Sequence, residues 1–286
     1  MVYEFIREYS GTSPVRTFCR VLGVSPSAYY HWRSEPVSTH RRVDGELLER
    51  IGAIHDASRA LYGSPRIYAT LRQEGIHCSR KRVARLMREH GIRAKTARRF
   101  RVTTRSGRFG HRSVDLVQRC FRVEEPNRIW TSDITYLWTR EGWVYLAVIL
   151  DLYSRRVVGW ELGSRLSSEL VTAALQRALS TRSPSAGLVL HADRGTQYTA
   201  DQLHRLAREH GLRQSHGLSC FDNAVTESFF HTIKTEHVYF EHFESRYQVR
   251  SSIFDYIEIY YNRQRKHSTL GMLSPTQFEE KLLHSP

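Results

Sequence analysis

"IWTSDITYLWTREGWVYLAVILDLYSRRVVGWELG", residues 129 to 163, decides the fold of this 286-residue chain. It contains three apolar segments, 129–138, 142–154 and 155–163, which are rich in aromatic and β-branched residues. Such residues favour β-strands, and short connections favour pairing between strands that are neighbours in sequence. The stretch therefore predicts three consecutive strands that form an antiparallel meander.

Helices and strands alternate after this meander. The patterns predict a helix over 167–181, a short buried strand over 187–193, a helix over 199–211, a strand over 212–215 and a helix over 219–237. This order predicts an α/β fold in which a mixed five-stranded sheet carries helices on both faces. The order of the elements resembles that of a ribonuclease H-like fold.

Two helix-turn-helix patterns precede the sheet region and give the first part of the chain an all-α character. In 14–33, Gly23 ends the first helix and Ser25 can cap the second. In 62–95, Ser79 caps the second of two further helices. A helix-turn-helix places its second helix in the major groove of DNA, whereas many similar helical hairpins only pack against other helices. The sequence leaves both interpretations open.

Basic residues are concentrated in the same region. The whole chain has a net charge of +14. Residues 1–125 hold 25 Lys and Arg against 12 Asp and Glu, whereas residues 126–286 hold 18 against 17. A regional excess of this kind favours binding to DNA, and the alternative is a basic face that is only solvated. The cations expected to point outward on the second helix of the later hairpin are Arg80, Lys81, Arg82, Arg85 and Arg88.

Composition argues against a membrane or secreted protein. The longest apolar run, 143–150, has the length of a strand and is too short to span a membrane. The N-terminus lacks the apolar core of a secretory signal. The four cysteines lie far apart and form no CxxC pair. We therefore expect neither a disulfide framework nor a zinc site, and we expect a reducing cytoplasm as the compartment.

Three carboxylates occupy positions where a metal site can form. Asp133 lies in the first strand, Asp193 follows the fourth strand, and Glu227 lies on the last core helix. We expect the first and fourth strands to be neighbours at the centre of the sheet and the helix to cross their ends. Three hard oxygen ligands converging there would bind divalent metal. Each acid alone is weak evidence, because strand-end aspartates often cap turns and helix glutamates are usually solvated.

The helix over 219–237 is expected to have two different sides. Val225, Phe229 and Ile233 recur every four residues and form an apolar stripe. At about 100° per residue, the residues on the opposite, polar side are Asn223, Glu227 and Lys234. This polar side is either a metal-binding and DNA-binding surface or an ordinary solvated face.

Two further acids, Asp151 and Asp222, also lie at element ends. We expect Asp151 to be structural and paired with Arg155 or Arg156. Asp222 is expected to cap the helix that follows it.

These patterns divide the chain into five predicted parts. In chain order they are an N-terminal helix-turn-helix (1–36), a second helix-turn-helix-like DNA-binding domain (37–100), a basic connector (101–125), a ribonuclease H-like core (126–238) and a helical tail (239–286). The connector is rich in Arg and Gly and lacks periodicity, so we expect it to follow the DNA backbone.

The chain resembles an insertion-sequence transposase of the integrase-core superfamily. It is most similar to the downstream-frame product of the family named after insertion sequence three. The resemblance covers essentially the whole chain and includes both helix-turn-helix patterns. The other motifs that carry it are WTSDITYLW, YLAVILDLYSRRVVGW, LHADRGTQYTA, CFDNAVTESFFHTIKTE and YIEIYYNRQRKHSTLGMLSPTQFE.

The resemblance implies roles for the residues singled out above. The acid triad of the family falls on Asp133, Asp193 and Glu227, which would be catalytic and would bind two Mg²⁺ or Mn²⁺ ions. Lys234 matches a basic position that approaches the DNA end in integrase-like enzymes. Asn223 lies on the same stripe and is predicted, with Lys234, to contact DNA.

One feature departs from the family pattern. The 33 residues between Asp193 and Glu227 are a couple fewer than the family usually has. The shortfall lies around SHGLSC, 215–220, just before the last core helix. The position of Glu227 therefore depends on a shortened segment.

The function implied by the resemblance is transposition. The protein would bind the terminal inverted repeats of an insertion sequence, release a 3′-hydroxyl at its end, and transfer that end to target double-stranded DNA. A nucleotide-binding GxxxxGK[ST] motif is absent, as expected when one phosphodiester replaces another. A homo-oligomer on DNA, a partner or fusion from an upstream frame, and a bacterial nucleoid location are also implied.

Two other functions stay open. One is a DNA-binding repressor or domesticated protein with an inactive core. The other is a nuclease on the same fold that cuts DNA without joining it. The N-terminal DNA-binding region and the tail favour transposition over the nuclease.

Overall fold

The computed structural model describes most of the chain as two compact units, Met1–Ala94 and Lys95–Pro286. The described residues are 2–34, 39–95, 115–119, 121–193, 195–198, 200–217 and 220–283. Most of the predicted basic connector, Cys120 and the centre of the SHGLSC segment lie outside them. Within those ranges, no helix combines the length and the apolar character that crossing a bilayer requires.

The first unit is helical. Both predicted helix-turn-helix pairs are present, as α2–α3 and α5–α6, and α1 is a helix that the sequence patterns did not predict. The Ser79 hydroxyl accepts a hydrogen bond from the Arg82 amide and caps α6, as expected. The helices are α1 (Val2–Tyr9), α2 (Val15–Val21), α3 (Pro26–Ser34), α4 (Thr39–Ala57), α5 (Ser64–Gln73) and α6 (Arg80–Glu89).

The sequence of α2 predicts one apolar stripe formed by Val15, Phe18, Val21 and Leu22, and this prediction is partly wrong. Val21 is 74% exposed and Leu22 is 39% exposed, whereas Cys19 is fully buried. Cys19 packs with Ile6 of α1 and Tyr29 of α3 in a small core. Val15 and Phe18 pack against the same core, as expected.

The second unit is built on a five-stranded mixed sheet. The strands lie in the order β3-β2-β1-β4-β5. The β1–β2 and β2–β3 pairs are antiparallel, and the β1–β4 and β4–β5 pairs are parallel. This confirms both the meander and the central pairing of β1 with β4. The strands are β1 (Ile129–Thr139), β2 (Gly142–Asp151), β3 (Val157–Gly163), β4 (Val189–Ala192) and β5 (Arg213–His216).

Helices cover both faces of this sheet. α7 and α8 pack on one face around Trp130 and Ile149, and α9 crosses β1 on the other face. α7 lies so close to β3 that a Cβ added to Gly159 would lie 2.4 Å from the Ala174 carbonyl oxygen. The helices are α7 (Ser168–Arg182), α8 (Asp201–Glu209), α9 (Ala224–Glu236), α10 (Arg246–Phe254) and α11 (Pro275–Leu283), with a π-helical segment (Asp255–Tyr261) after α10.

Charged side chains bind the C-terminal helix to the sheet region. The Glu279 carboxylate of α11 accepts hydrogen bonds from Ser154 at 2.7 Å, from Arg156 at 2.8 Å and from Arg182 at 2.8 and 2.9 Å. A partly buried carboxylate with this many donors is well compensated. The tail therefore packs on the same unit as the sheet.

Candidate active site

Asp133 projects from the middle of β1 toward α9. Side chains alternate along a strand, so Thr131 and Asp133 share one face of the sheet and Ser132 faces the other way. The Ser132 hydroxyl lies 3.0 Å from the hydroxyl of Tyr198, beneath the opposite face. Asp133 is half-buried, and its Oδ1 accepts a hydrogen bond from the Ile134 amide at 2.7 Å.

Asp193 is the first residue after β4. In the parallel pair of β1 and β4, Ser132 lies opposite Ala192, so Asp133 and Asp193 are the next residues along two neighbouring strands. Asp193 is exposed, and its Oδ1 accepts a hydrogen bond from the Gly195 amide at 3.0 Å. The two carboxylates therefore lie at the carboxyl end of β4, where open α/β sheets commonly bind ligands.

Glu227 lies in the first turn of α9 and is exposed. The helix is anchored by buried polar groups at its start. The Thr226 hydroxyl lies 2.6 Å from the hydroxyl of Thr131 and 2.9 Å from Asn223 Oδ1. The Asn223 amide group donates a hydrogen bond to the Ser132 carbonyl at 3.0 Å. These contacts fix α9 on β1 and so set where Glu227 lies relative to Asp133.

Thr226→Val is expected to lower the free energy of unfolding by about 1–3 kcal/mol. Valine has nearly the same shape, but it leaves buried Thr131 and Asn223 oxygens without the Thr226 hydroxyl. Urea unfolding measures the change. The control is Thr235→Val on the same helix, where an exposed hydroxyl bonds only to nearby carbonyls of its own helix and the expected change is within about 0.5 kcal/mol. Equal changes in the two variants would contradict the anchoring role.

Burial and the charges of neighbouring side chains change the ionisation of Asp133. Burial, followed by the negative charge of Asp193, raises the pKa of Asp133 to about 7, and Glu227 adds to this effect. Burial also raises the pKa of Glu227. Burial lowers the pKa of Lys234, and the charge of Asp133 opposes that change. The charges of Asp193, Glu227 and Lys234 thus all act on Asp133.

The chemistry of the donors fits divalent metal, although the side chains are not arranged as a finished site. Three carboxylates supply the hard oxygens that Mg²⁺ and Mn²⁺ prefer, and their mutual repulsion is the kind that a cation relieves. Among the described residues, no three His, Cys, Asp or Glu side chains are grouped so that they could hold a metal ion. Asp133 and Asp193 are each hydrogen-bonded to nearby backbone instead.

The expected position of Asn223 on an exposed polar stripe is wrong. Asn223 is 3% exposed and immediately precedes α9, where a short 3₁₀ turn replaces regular helix. Its amide nitrogen donates to the Ser132 carbonyl and its amide oxygen accepts from the Thr226 hydroxyl, so its side chain is not available to DNA in this arrangement. Phe229 and Ile233 are buried as expected, whereas Val225 is only half-buried.

The partners expected for the two other acids are also wrong. Asp151 is fully buried and accepts hydrogen bonds from the amides of Asn127 and Tyr153, and its nearest cation is Arg182 at 3.6 Å. Asp222 is buried and pairs with Arg119 at 2.7 Å instead of capping α9. Both acids are structural, as expected for Asp151.

The five cations of α6 fall into two groups. Arg80, Lys81 and Arg88 are exposed, as expected. Arg82 and Arg85 instead bind Asp44 of α4 at 2.6 and 2.8 Å, and both are only partly exposed. These two arginines hold α4 and α6 together, so the prediction that they point outward is wrong.

Sequence patterns missed Thr226 and Tyr198, the two side chains that support the acids from opposite faces. Thr226 is fully buried and Tyr198 is 2% exposed. The sequence contained one indication of Thr226: its hydroxyl lies on the buried side of a helix, and the first strand carries the adjacent Thr131 and Ser132. Spacing alone could not show which hydroxyls meet.

Family models match most of the second unit and more than half of the first. Residues 123–218 and 227–283 each match a model described as an integrase core domain. Residues 42–100 match an HTH-like domain.

Curated relatives extend over the whole chain. Transposase InsF for insertion sequence IS3A of Escherichia coli (strain K12) is 40% identical over 99% of this chain and 100% of the relative. The insertion element IS600 uncharacterized 31 kDa protein of Shigella sonnei is 41% identical over 92% of this chain and 97% of that protein. Among solved structures, the HTLV-2 integrase catalytic core domain in complex with magnesium is 15% identical, with a TM-score of 0.43 over 54% of this chain and 97% of that one.

The mixed sheet, the helices on both faces and the matched models define an integrase core domain of ribonuclease H-like fold, preceded by an HTH-like domain. The chain belongs to the family of insertion-sequence transposases that includes InsF of IS3. The expected fold class and the family resemblance are both confirmed.

Proposed function

We propose that this protein is a DNA transposase that cleaves and joins DNA at the ends of an insertion sequence. The cluster of Asp133, Asp193 and Glu227, where β4 ends beside the middle of β1, carries the proposal. Burial raises the pKa of Asp133, the negative charges of Asp193 and Glu227 add to this effect, and carboxylates with perturbed pKa values are common at functional sites. The HTH-like domain and the 40% identity to InsF give further support.

The three carboxylates would hold two Mg²⁺ or Mn²⁺ ions. A pair of such ions supplies an activated oxygen nucleophile and stabilises the leaving oxygen in an in-line phosphoryl transfer. Asp133 and Asp193 come from adjacent, hydrogen-bonded strands and form the rigid part of the site. Glu227 comes from α9, whose position depends on the Thr226 and Asn223 contacts.

The chemistry consists of two phosphoryl transfers. First, a water oxygen attacks the phosphorus at the element end, the bond from phosphorus to the 3′ oxygen breaks, and that oxygen leaves as a 3′-hydroxyl. Second, the 3′-hydroxyl oxygen attacks a target phosphorus and displaces the target strand's own 3′ oxygen. The second step exchanges one phosphodiester for another and needs no nucleotide cofactor.

Lys234 would bind and orient the DNA strand beside the acids. It lies two turns after Glu227 on α9 and is half-buried. Its charge lowers the pKa of Asp133, against burial and the charge of Asp193, which raise it, and this supports a position beside the reacting phosphodiester. A cation there compensates the negative charge that the phosphate brings to a carboxylate-lined site.

The exposed cations of α6 are proposed to contact DNA phosphates. Replacing Arg80, Lys81 and Arg88 with alanine should weaken DNA binding and lower the slope of log K against log salt by up to about 0.9 for each phosphate that is no longer neutralised. The matched control is Arg85→Ala on the same helix. Its guanidinium is bound to Asp44, so we expect it to change stability more than the salt slope. Equal slopes for the wild type and the triple variant would mean that these side chains are only solvated.

The experiment that tests the proposal is DNA joining in vitro. The full chain is incubated with labelled element-end DNA, a target plasmid and Mg²⁺, beside Asp133→Asn and Glu227→Gln. Metal-dependent joined products that are lost in both variants support a transposase. Cleavage without joining, also when the upstream-frame product is added, would support a nuclease.

A DNA-binding repressor or domesticated protein is the alternative function. It would bind the same DNA through the HTH-like domain without any metal-dependent chemistry, even when the upstream-frame product is supplied.

We propose further that the active form is a homo-oligomer on DNA at the nucleoid, assembled with or fused to that upstream product. Size measurement of the complex with and without the upstream product tests this.

A further inference from the structure

A cleft lined by aromatic rings lies next to Lys234, outside the acid cluster. It has a volume of about 590 Å³, which is in the range of pockets that bind small organic ligands. The far end of the β1–β2 hairpin forms one wall, and the segment after α9 forms the other. We call it the aromatic cleft, and its rings are Tyr136, Trp138, Trp143 and Tyr239.

The rings of the aromatic cleft pack on each other but stay open to solvent. Trp138 and Trp143 lie directly opposite each other on β1 and β2, with ring centroids 4.8 Å apart at 72°. The Tyr136 and Trp143 rings are 5.1 Å apart at 89°. These three rings are 57%, 58% and 46% exposed in chain order, whereas Trp130 on the same strand is fully buried. Large rings left exposed as a group mark a binding surface.

The charges that line the aromatic cleft largely balance, because the Glu241 carboxylate lines it together with Lys234. Arg140 is paired with Glu244 at 3.0 Å, which neutralises both. Lys234 places its Nζ 5.0 Å from the centroid of the Tyr136 ring. Burial lowers the pKa of the same ammonium group, and the charge of Asp133 opposes that change. Lys234 therefore links the rings of the cleft to the acid cluster.

We propose that the aromatic cleft binds unpaired nucleobases of the DNA strand whose phosphodiester lies at the acid cluster. The inference rests on the proposed function. Stacking on aromatic rings tolerates any base because every base has a π-face, and a cation that binds the backbone commonly accompanies it. Here Tyr136, Trp138 and Trp143 would provide the stacking surface, and Lys234 would bind a phosphate between the reacting nucleotide and the stacked ones.

Lys234 connects the two faces of β1 at an open edge of that strand. Tyr136 and Trp138 are three and five residues from Asp133, so their rings lie on the face of the sheet opposite the acids. The strand β4 pairs with β1 only over Ile129–Ser132, so among the described residues no strand covers this edge beyond Ser132. Lys234 of α9 reaches the Tyr136 ring past this edge. A DNA strand with its phosphodiester at the acids would therefore pass Lys234 and cross this edge to bring its next bases to the rings.

A base fits the cleft better than the backbone of a duplex does. Duplex binding depends on an excess of Lys and Arg that neutralises phosphates, and here Arg140 is already paired with an acid. A second copy of the chain is the competing occupant, since Trp and Tyr are also common in protein interfaces.

Binding of single-stranded DNA tests the proposal directly. The probe is a ten-residue oligo(dT), compared with a duplex of the same length, in EDTA so that no chemistry occurs. Trp130 and Trp160 are 0% and 6% exposed, and the half-buried Trp32 of the first unit is replaced by phenylalanine in every sample, so quenching of tryptophan fluorescence would come from Trp138 and Trp143. We expect oligo(dT) to quench the emission, and Trp138→Ala or Trp143→Ala to weaken its binding about tenfold or more.

Matched variants separate stacking from general loss of fold. Trp138→Phe keeps a ring and should keep most of the affinity. Tyr247→Ala removes an 80% exposed ring of α10 that does not line the cleft, and its affinity should stay within about twofold of the wild type. Absence of quenching in the wild type, or unchanged affinity in both alanine variants, would overturn the inference.

The competing occupant and the proposed function have separate outcomes. If the tryptophan variants change only the oligomeric state in sedimentation and bind oligo(dT) normally, the cleft is an interface between copies and the inference is wrong. DNA joining with Mg²⁺ is measured on the same preparations. A wild type that binds oligo(dT) through the cleft but joins nothing keeps the inference and removes the transposase function. If the wild type and its tryptophan variants join DNA equally well and bind oligo(dT) with equal affinity, the transposase function stands and the inference is wrong.

Discussion

Glu227→Gln is expected to reduce metal-dependent DNA joining by about 10³-fold or more, with DNA binding unchanged. The amide has the size of the carboxylate but lacks its charge, so the acid cluster loses one anionic ligand for divalent metal. The fold should not suffer, because Glu227 is exposed and, among the described residues, accepts no hydrogen bond. The measurement is the rate of formation of joined product from labelled element-end DNA.

A second glutamate provides the control for this prediction. Glu209→Gln changes an exposed residue at the end of α8, away from the predicted ligands, and should join DNA at nearly the wild-type rate. Gel-shift affinity and thermal unfolding of both variants should match the wild type. If Glu227→Gln joins DNA as fast as Glu209→Gln does, Glu227 is only a solvated helix residue.

The sequence was enough to predict the sheet and the side of it where the acids meet. Segment lengths and apolar patterns gave five strands in the correct chain order. The closeness of Asp133 and Asp193 follows from that order, because the central parallel pair places the end of β4 beside the middle of β1. Phe229 and Ile233 gave the buried side of α9, and therefore the exposed position of Glu227.

The sequence failed where a few residues of irregular backbone decide which way a side chain faces. Asn223 would lie on the stripe of Glu227 if the helix began before it, but a 3₁₀ turn ends there and directs its amide inward. The partner of Asp151 was expected nearby in sequence, yet it is Arg182 on α7. Arg85 shows the same effect, since only the folded hairpin reveals that Asp44 is within reach. Periodicity describes single elements and does not identify the residues that meet from different ones.

Asp133→Asn is expected to raise the free energy of unfolding above pH 7 and to abolish metal-dependent DNA joining. In the wild type, burial and the charge of Asp193 raise the pKa of Asp133 from 3.8 to about 7. Below about pH 4 the carboxyl is protonated in both the folded and the unfolded chain, so it has no effect on the pH dependence there. Between about pH 4 and pH 7 the unfolded chain releases the proton first, so wild-type stability falls as pH rises. Asparagine has no proton to release and avoids this loss.

The difference in the free energy of unfolding between the wild type and Asp133→Asn distinguishes a ligand site with repelling charges from an ordinary surface acid. The full shift would correspond to about 4 kcal/mol, but Asp133 is only half-buried and solvent screens its neighbours, so we expect on the order of 1–3 kcal/mol. Urea unfolding at several pH values measures it, with Asp56→Asn, whose side chain is 87% exposed, as the control that should follow the wild-type curve. Mn²⁺ should stabilise the wild type more than Asp133→Asn, because it would bind the folded acid cluster. Parallel pH curves for wild type and Asp133→Asn would mean that Asp133 lies in a well-solvated position, and the case for a metal site built around it would fail.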